Sequence, residues 1–367
     1  MKKSVLLFAL LFFFCSFIQN SNHNSFVIAD NDTVTLIFAG DVMGHIPQIE
    51  AAYNPLNDSY NYDVCFKWVK PYLEQSDFAV ANLEVPIAGK PYSGYPAFSS
   101  PDALLDALKN AGFDILLTGN NHVLDRGKSG LERTIRQMRK RNFLFAGSYN
   151  NEAQRDSLYP IILQTKGIKI AILNYTYGTN GNQAQEPSLV NYIDTTEIMN
   201  DINDADRLGA DFKIMTIHWG KEYELKAGET QQKLAQFFVN QGINLIIGSH
   251  PHVVQNVETL YGTDKYPVPV YYSLGNFISN QRQANSDGGI MVKVEIGVKS
   301  KTVLKTNYIP VWVYKGTLNA EYQYHLIPTT DYIENPSNFK LNSSDSISLR
   351  YFDTETRKRL SNLEFLK

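Results

Sequence analysis

The residues in this 367-residue chain best suited to chemistry are histidines, carboxylates and amides that follow short apolar runs. Gly40-Asp41-Val42-Met43-Gly44-His45 follows one run, Asn82-Leu83-Glu84 a second, and Thr118-Gly119-Asn120-Asn121-His122 a third. His218-Trp219-Gly220 and Gly248-Ser249-His250-Pro251-His252 follow two more. Five of the seven histidines lie in these segments, whereas His23 and His325 stand apart and read as surface residues. Imidazole, carboxylate and amide oxygen together suit Zn, Mn or Fe better than Ca or Mg alone. Singly, each has a plainer reading: Asp41 as a turn cap, Asn82 and Glu84 as solvated loop residues, Asn120-Asn121-His122 as a turn, His218 as a satisfied core histidine. His250 and His252, two apart in an extended stretch, face the same way. Jointly the segments supply enough ligands for two divalent ions, with one carboxylate shared. Two such ions outweigh Asp41 and Glu84 in charge, so the centre attracts anions. Paired ions suit phosphoester hydrolysis, and the same charge suits binding of an anionic polymer.

The apolar runs that must position these groups are short and rich in β-branched or aromatic residues: 34–39, 78–81, 113–117, 168–173, 212–217, 243–247 and 268–272. Helical patterns at 62–75, 101–111, 128–141, 198–208 and 230–241 lie between them. Alternation of this kind predicts a layered α/β fold. Ligands in open α/β sheets bind beyond the carboxyl ends of the strands, so these segments are expected to converge. Beyond about residue 288 the pattern turns strand-rich, at 290–296 and 302–313, and the last forty residues read as polar and irregular. The long loops 86–101, 178–189 and 279–289 exceed what simple connections need, which points to function.

Composition narrows the choice of function. Hydrophobic residues make up 43% and charged residues 19%, enough for a large core. Lys and Arg number 34 against 37 Asp and Glu, a balance that excludes a typical nucleic-acid binder. Two cysteines make neither a disulfide scaffold nor a cysteine-rich zinc module. Cys65 reads as a core thiol in the helical pattern 62–75. Lys2 and Lys3 precede an unbroken apolar run of eleven residues, 5–15. That run is shorter than the roughly 18 residues of a membrane span and suits a secretory segment over 1–18. The protein is therefore expected to be exported: periplasmic, extracellular, or membrane-attached through a lipid on Cys15.

In order and spacing, several motifs resemble the CapA family of poly-γ-glutamate capsule biosynthesis proteins, within the calcineurin-like metallophosphoesterase superfamily. They are Gly40-Asp41-Val42-Met43, Asn82-Leu83-Glu84-Val85-Pro86, Asn120-Asn121-His122-Val123-Leu124-Asp125-Arg126-Gly127, His218-Trp219-Gly220-Lys221-Glu222-Tyr223, Ser249-His250-Pro251-His252-Val253-Val254-Gln255 and Tyr272-Ser273-Leu274-Gly275-Asn276-Phe277. The resemblance covers 34–279. It implies a four-layer sandwich of two mixed β-sheets flanked by helices, with metals at one edge, in a domain over 34–315 followed by an extension over 316–367. It also implies Asp41, Glu84, Asn121, His218, His250 and His252 as ligands, with Glu84 bridging two divalent ions (Mn, Fe or Zn), and His122 as proton donor to the leaving group. Two departures stand out. The superfamily's first motif has Asp-x-His, whereas here the histidine lies four residues on, so His45 stays open as ligand, substrate contact or neither. The second motif has aspartate, so Asn82 competes with Glu84. Asp125 reads as an orienter of His122 and Arg126 as an anion contact, or the two as a helix-start ion pair. Glu222 and Asn276 belong to the motifs without an assigned role.

The expected function is hydrolysis of a phosphoester or polymer bond during capsule synthesis or export, beside membrane-bound synthesis machinery. A non-catalytic, metal-stabilised polyanion-binding accessory is the alternative. A secreted phosphodiesterase or nucleotidase is a third. For a polymer groove, the loop 86–101 offers Tyr92 and Tyr95 but only Lys90 as a cation. With histidines near their ordinary pKa of about 6.5, activity is expected to fall below about pH 5.

Overall fold

The computed structural model describes residues 32–361 except 264, 319 and 320. Residues 1–18, expected to form a secretory segment with Cys15, and His23 therefore lie outside the described residues. Leaving aside four two-residue strands, we number β1 (Thr33–Val42), β2 (Phe78–Leu83), β3 (Ile115–Leu117), β4 (Leu144–Ala146), β5 (Ile161–Thr165), β6 (Ile168–Thr176) and β7 (Phe212–His218). Next come β8 (Leu245–Ser249), β9 (Val257–Tyr261), β10 (Pro267–Tyr271), β11 (Asn276–Ile278), β12 (Gly288–Gly297), β13 (Val303–Leu318) and β14 (Glu321–Pro328).

The strands form two mixed sheets. The first runs β14-β13-β12-β1-β2-β3-β4, with β11 pairing to β1. Its β1–β4 half is parallel, and its β12–β14 half antiparallel. The second runs β9-β10-β8-β7-β6-β5, parallel in the middle and antiparallel at both edges. Buried parallel strands need apolar side chains on both faces. Accordingly, β1 is buried almost throughout, as is β7. One continuous apolar core joins residues of both sheets, including Phe38, Val80, Ile172, Ile214 and Ile246. Helices flank the sheets, giving the expected four-layer α/β sandwich of two mixed sheets.

Local chemistry sets the helix ends. Ala103–Ala111 buries Leu104, Leu105, Ala107, Leu108 and Ala111 on one stripe and stops at left-handed Gly112. Thr195–Arg207 starts where the Asp194 carboxylate accepts the Thr196 and Glu197 amides. Gly127–Lys140 packs near β4, and Glu229–Asn240 near β9.

Four expectations change. The helical pattern 62–75 breaks into Asp63–Phe66 and Lys70–Leu73, because Pro71 is tolerated only in the first turn of a helix. Cys65 is buried as expected. The last forty residues are not irregular: they include Thr329–Glu334 and the 17-residue helix Ser343–Arg359. These helices pack Tyr332, Leu349 and Phe352 against Trp312 and Ile327 in a second, smaller core. No boundary falls at 315, since β13 runs on to Leu318 and β14 extends the same sheet. His325 is not a surface residue: it is 1% exposed in β14, with Nε2 at 3.2 Å from the Gly316 carbonyl.

Candidate metal centre

The strand ends meet as the topology requires. The β1–β2 register shifts between Ala39 and Asp41, and the Asp41 backbone amide donates to the Gly275 carbonyl at 3.0 Å. A bulge of this kind redirects a side chain at the end of a ladder. Gly40 permits it, because a Cβ there would lie 2.0 Å from the Gly275 carbonyl oxygen. Asn82 and Glu84, two apart at the end of β2, turn to the same side. The Asn82 amide donates to Asp41 Oδ1 at 2.8 Å and to Glu84 Oε2 at 3.2 Å. Its own Oδ1 accepts from Asn120 Nδ2 at 3.2 Å. Asn82 thus spaces the two carboxylates, and Glu84 sits between the imidazoles.

His218 closes β7, and its Nε2 lies 2.9 Å from Asn121 Oδ1 and 3.5 Å from Glu84 Oε1. Its Nδ1 is 3.0 Å from Ser249 Oγ. His252 places Nδ1 3.0 Å from Asp41 Oδ2 and Nε2 3.7 Å from Glu84 Oε1. The His250 ring lies 4.7 Å from that of His218 and 6.0 Å from that of His252, centroid to centroid. His250 and His252 do converge, but not through extended backbone. Both are left-handed, with φ of 99° and 58°, a conformation costing on the order of 1–3 kcal/mol per non-glycine residue and concentrated at functional sites. Donor atoms of Asp41, Glu84 and His218 fall within 4.8 Å of one another, as do those of Glu84, His250 and His252. Glu84 belongs to both sets, as a bridging ligand must.

Two buried atoms test whether cations fit. Glu84 Oε1 and His250 Nδ1 have no hydrogen-bond partner, although both residues are almost completely buried. Unpaired buried polar atoms are costly, so a coordinated cation is the natural complement. The electrostatics agree. Burial, and then the neighbouring Asp41 carboxylate, pushes the Glu84 carboxyl well above its ordinary value. Burial holds His218 far below the usual imidazole range, and with the His252 charge it lowers His250 to about 3. The His218 and His250 imidazoles are therefore neutral and ready to ligate, whereas the Glu84 carboxyl favours its protonated form until a cation reaches it. Oxygen and imidazole donors suit Zn, Mn or Fe.

Around this centre, His122 Nδ1 lies 2.8 Å from Asp125 Oδ2, and both side chains are buried. Asp125 Oδ2 also accepts the Phe98 amide at 2.8 Å. The carboxylate thereby fixes the Nδ1–H tautomer and leaves Nε2 free. A cavity of about 670 Å³ opens above, lined by His45, Phe98, His122, Glu222, Tyr223 and His252 among others. His45 stands in its wall, with Nδ1 3.0 Å from Gln48 Oε1, and belongs to neither donor set. Asn276, fully buried, donates to the His252 carbonyl at 3.3 Å, to Gln281 Oε1 at 2.9 Å and to the Ser286 carbonyl at 2.7 Å. It holds loops rather than facing the cavity. Arg126 is not in the cavity wall, nor does it pair with Asp125: its guanidinium donates to the Pro91 carbonyl at 2.9 Å. Tyr95 reaches the cavity, whereas Tyr92 packs on Tyr60 and Lys90 pairs with Asp58. The sequence reading missed Tyr177, whose ring is 4.6 Å from His250, and Arg282 in the cavity wall. The unusual length of the loops 178–189 and 279–289 was the only signal near them.

Residues 35–281 match the family model described as "Bacterial capsule synthesis protein PGA_cap". "Capsule biosynthesis protein CapA" of Bacillus anthracis is 27% identical over 301 residues, covering 78% of this chain and 69% of that protein. "PGA biosynthesis protein CapA" of Bacillus subtilis (strain 168) is 24% identical over 294 residues, covering 78% of this chain and 73% of that protein. A candidate 5′-nucleotidase from Staphylococcus aureus, solved in complex with alpha-ketoglutarate, aligns with a TM-score of 0.50 at 15% identity. That alignment covers 88% of this chain and 58% of the nucleotidase, so the chain spans less than two thirds of it, and the likeness concerns the fold. The chain belongs to the PGA_cap capsule synthesis family. Among the described residues, no helix is long and apolar enough to cross a membrane.

Proposed function

We propose that this PGA_cap-family protein is an exported, metal-dependent hydrolase that cleaves an anionic bond-bearing substrate of capsule metabolism, with poly-γ-glutamate as the leading polymer. One observation carries the reading. Five strand ends bring Asp41, Glu84, Asn121, His218, His250 and His252 together around a buried carboxylate oxygen and a buried imidazole nitrogen, neither of which has a hydrogen-bond partner. In this reading Asp41, Glu84, Asn121, His218, His250 and His252 would hold the divalent ions, with Glu84 common to both donor sets. Ions held there supply Lewis acidity toward the scissile group and lower the pKa of bound water.

The remaining steps belong to this chain. His122 presents Nε2 to the cavity and delivers a proton to the departing oxygen or nitrogen, worth about 10²–10⁴ in rate for a well-placed acid. Asp125 positions His122 through the 2.8 Å contact. Phe98, edge-on to His122 at 4.7 Å between centroids, keeps water from one side of the ring. Asn82 orients Asp41 and Glu84 without ligating. Export follows from the basic start and apolar run 5–15, and the partner we propose is membrane-bound capsule synthesis machinery that delivers the polymer.

The test is turnover of bis-p-nitrophenyl phosphate and of poly-γ-glutamate by the purified metal-loaded protein, with His122→Ala as control. Hydrolysis of either that drops at least a hundredfold in His122→Ala is the expected result. Stoichiometric metal with no turnover of either replaces the hydrolase by a polyanion-binding accessory.

A further inference from the structure

The cavity lined by His122 and His252 also carries an arginine that forms no ion pair among the described residues. Arg282 sits in its wall on the loop after β11, exposed to solvent. Among the described residues no carboxylate comes within ion-pair distance of it. Of its five N–H donors, one is used, from Nη1 to the Gln281 carbonyl at 3.0 Å. The guanidinium also rests 6.0 Å from the centre of the Tyr324 ring.

The loop is held firmly against the metal centre. The Asn280 amide donates to His45 Nδ1 at 3.3 Å, and the Tyr324 hydroxyl donates to the Asn280 side chain. The Gln281 amide donates to Ser279 Oγ at 2.9 Å. Asn276, opposite Asp41 in the strand register, ties down both Gln281 and Ser286. Arg282 is therefore a cation on an anchored loop, in the wall of the cavity that the proton donor also lines. Glu222 lines the same cavity and repels anions from its own wall. A negative substituent of a bound substrate is thereby directed to the Arg282 side.

We infer that Arg282 is a specificity-determining residue that binds a carboxylate of the substrate next to the scissile bond. This rests on the hydrolase reading above; the group that Arg282 reads is the free carboxylate carried by each unit of the polymer proposed there. Arginine presents paired N–H donors that match a carboxylate in a two-pronged contact, which lysine does not reproduce. Ions held by the strand-end ligands would take the reacting group, and Arg282 reads its neighbour.

The test is equilibrium binding by calorimetry to the manganese-loaded full chain, with three probes: a γ-linked glutamate oligomer, its carboxylate methyl ester, and inorganic phosphate. The wild type is expected to bind the acid at least tenfold more tightly than the ester. Arg282→Met is expected to lose at least tenfold for the acid, with Arg282→Lys recovering part of it and phosphate affinity staying within twofold. Equal affinity of wild type and Arg282→Met for the acid overturns the assignment, as does equal binding of acid and ester. A parallel loss of phosphate binding also overturns it, because the guanidinium then contacts the phosphate. Turnover is read separately. Carboxylate-dependent binding that needs Arg282, without hydrolysis, defeats the hydrolase reading alone; hydrolysis of the polymer with an unchanged KM in Arg282→Met defeats the arginine assignment alone.

Discussion

At the scale of single residues, Glu84 and the His122–Asp125 pair decide most. Buried Glu84 is unfavourable as an anion until a cation reaches it, because burial and Asp41 both raise its pKa. Replacing it by glutamine removes the shared ligand, so Glu84→Gln is expected to retain less than half the bound metal of the wild type, read by elemental analysis. Asp125→Asn keeps the shape beside His122 but loses the acceptor that fixes its tautomer. A fall in kcat of about 10–100-fold is expected there, with KM nearly unchanged and a smaller loss than in His122→Ala. The metal-free site also has a defined pH response. His250 binds its proton near 6.5 when unfolded but only at about 3 when folded, and His218 is shifted the same way. Between those values the unfolded chain holds more protons, so stability falls as pH drops below 6.5. The slope is up to about 1.4 kcal/mol per pH unit for each imidazole. Glu84 titrates in the opposite sense, since its raised pKa costs stability as pH climbs above its ordinary value. Denaturant titration of metal-free Glu84→Gln, which lacks that opposing group, is expected to show the loss from 6.5 downward most clearly.

At the scale of elements, the strand ends were the legible part. Runs of β-branched residues ending in Gly-Asp, Asn-x-Glu or Gly-x-His mark where parallel strands stop, and ligands gather there. What stayed hidden was set by tertiary contacts. The competition between Asn82 and Glu84 was open because both side chains leave β2 on one side, and only the hydrogen bonds to Asp41 and Asn120 separate them. The left-handed backbone at His250 and His252 has no signature in Ser-His-Pro-His, since neither residue is glycine. Arg126 looked like the anion contact because it is near His122 in sequence, whereas Arg282 arrives from a loop 160 positions away (282 against 122). Helix Ser343–Arg359 was missed because its buried residues are sparse and mixed with polar ones: Leu349, Phe352, Asp353 and Thr356. The close passage of β1 past Gly275 gives an element-level prediction. Gly40→Ala forces backbone against backbone, with an expected loss of about 1–3 kcal/mol in chemical denaturation and weaker metal retention through displaced Asp41.

At the scale of the whole molecule, a single core binds both sheets, and the metal centre lies where their strand ends come together. The C-terminal helices add a second core on the edge strands instead of forming a separate appendage. The two halves of the sandwich contribute different ligands: Asp41, Glu84 and Asn121 follow strands of the first sheet, while His218, His250 and His252 follow strands of the second. Cations held at the centre would therefore cross-link the sheets and stabilise the whole fold by mass action. The central claim is a two-ion site bridged by Glu84. Its most direct test is metal stoichiometry of the purified full-length protein by elemental mass spectrometry, paired with thermal unfolding before and after chelation. Two ions per chain, with a Tm that falls by several degrees on chelation in the wild type but scarcely in Glu84→Gln, is the expected result. A wild type that takes up no transition metal when reloaded, with a Tm indifferent to chelator, contradicts the account.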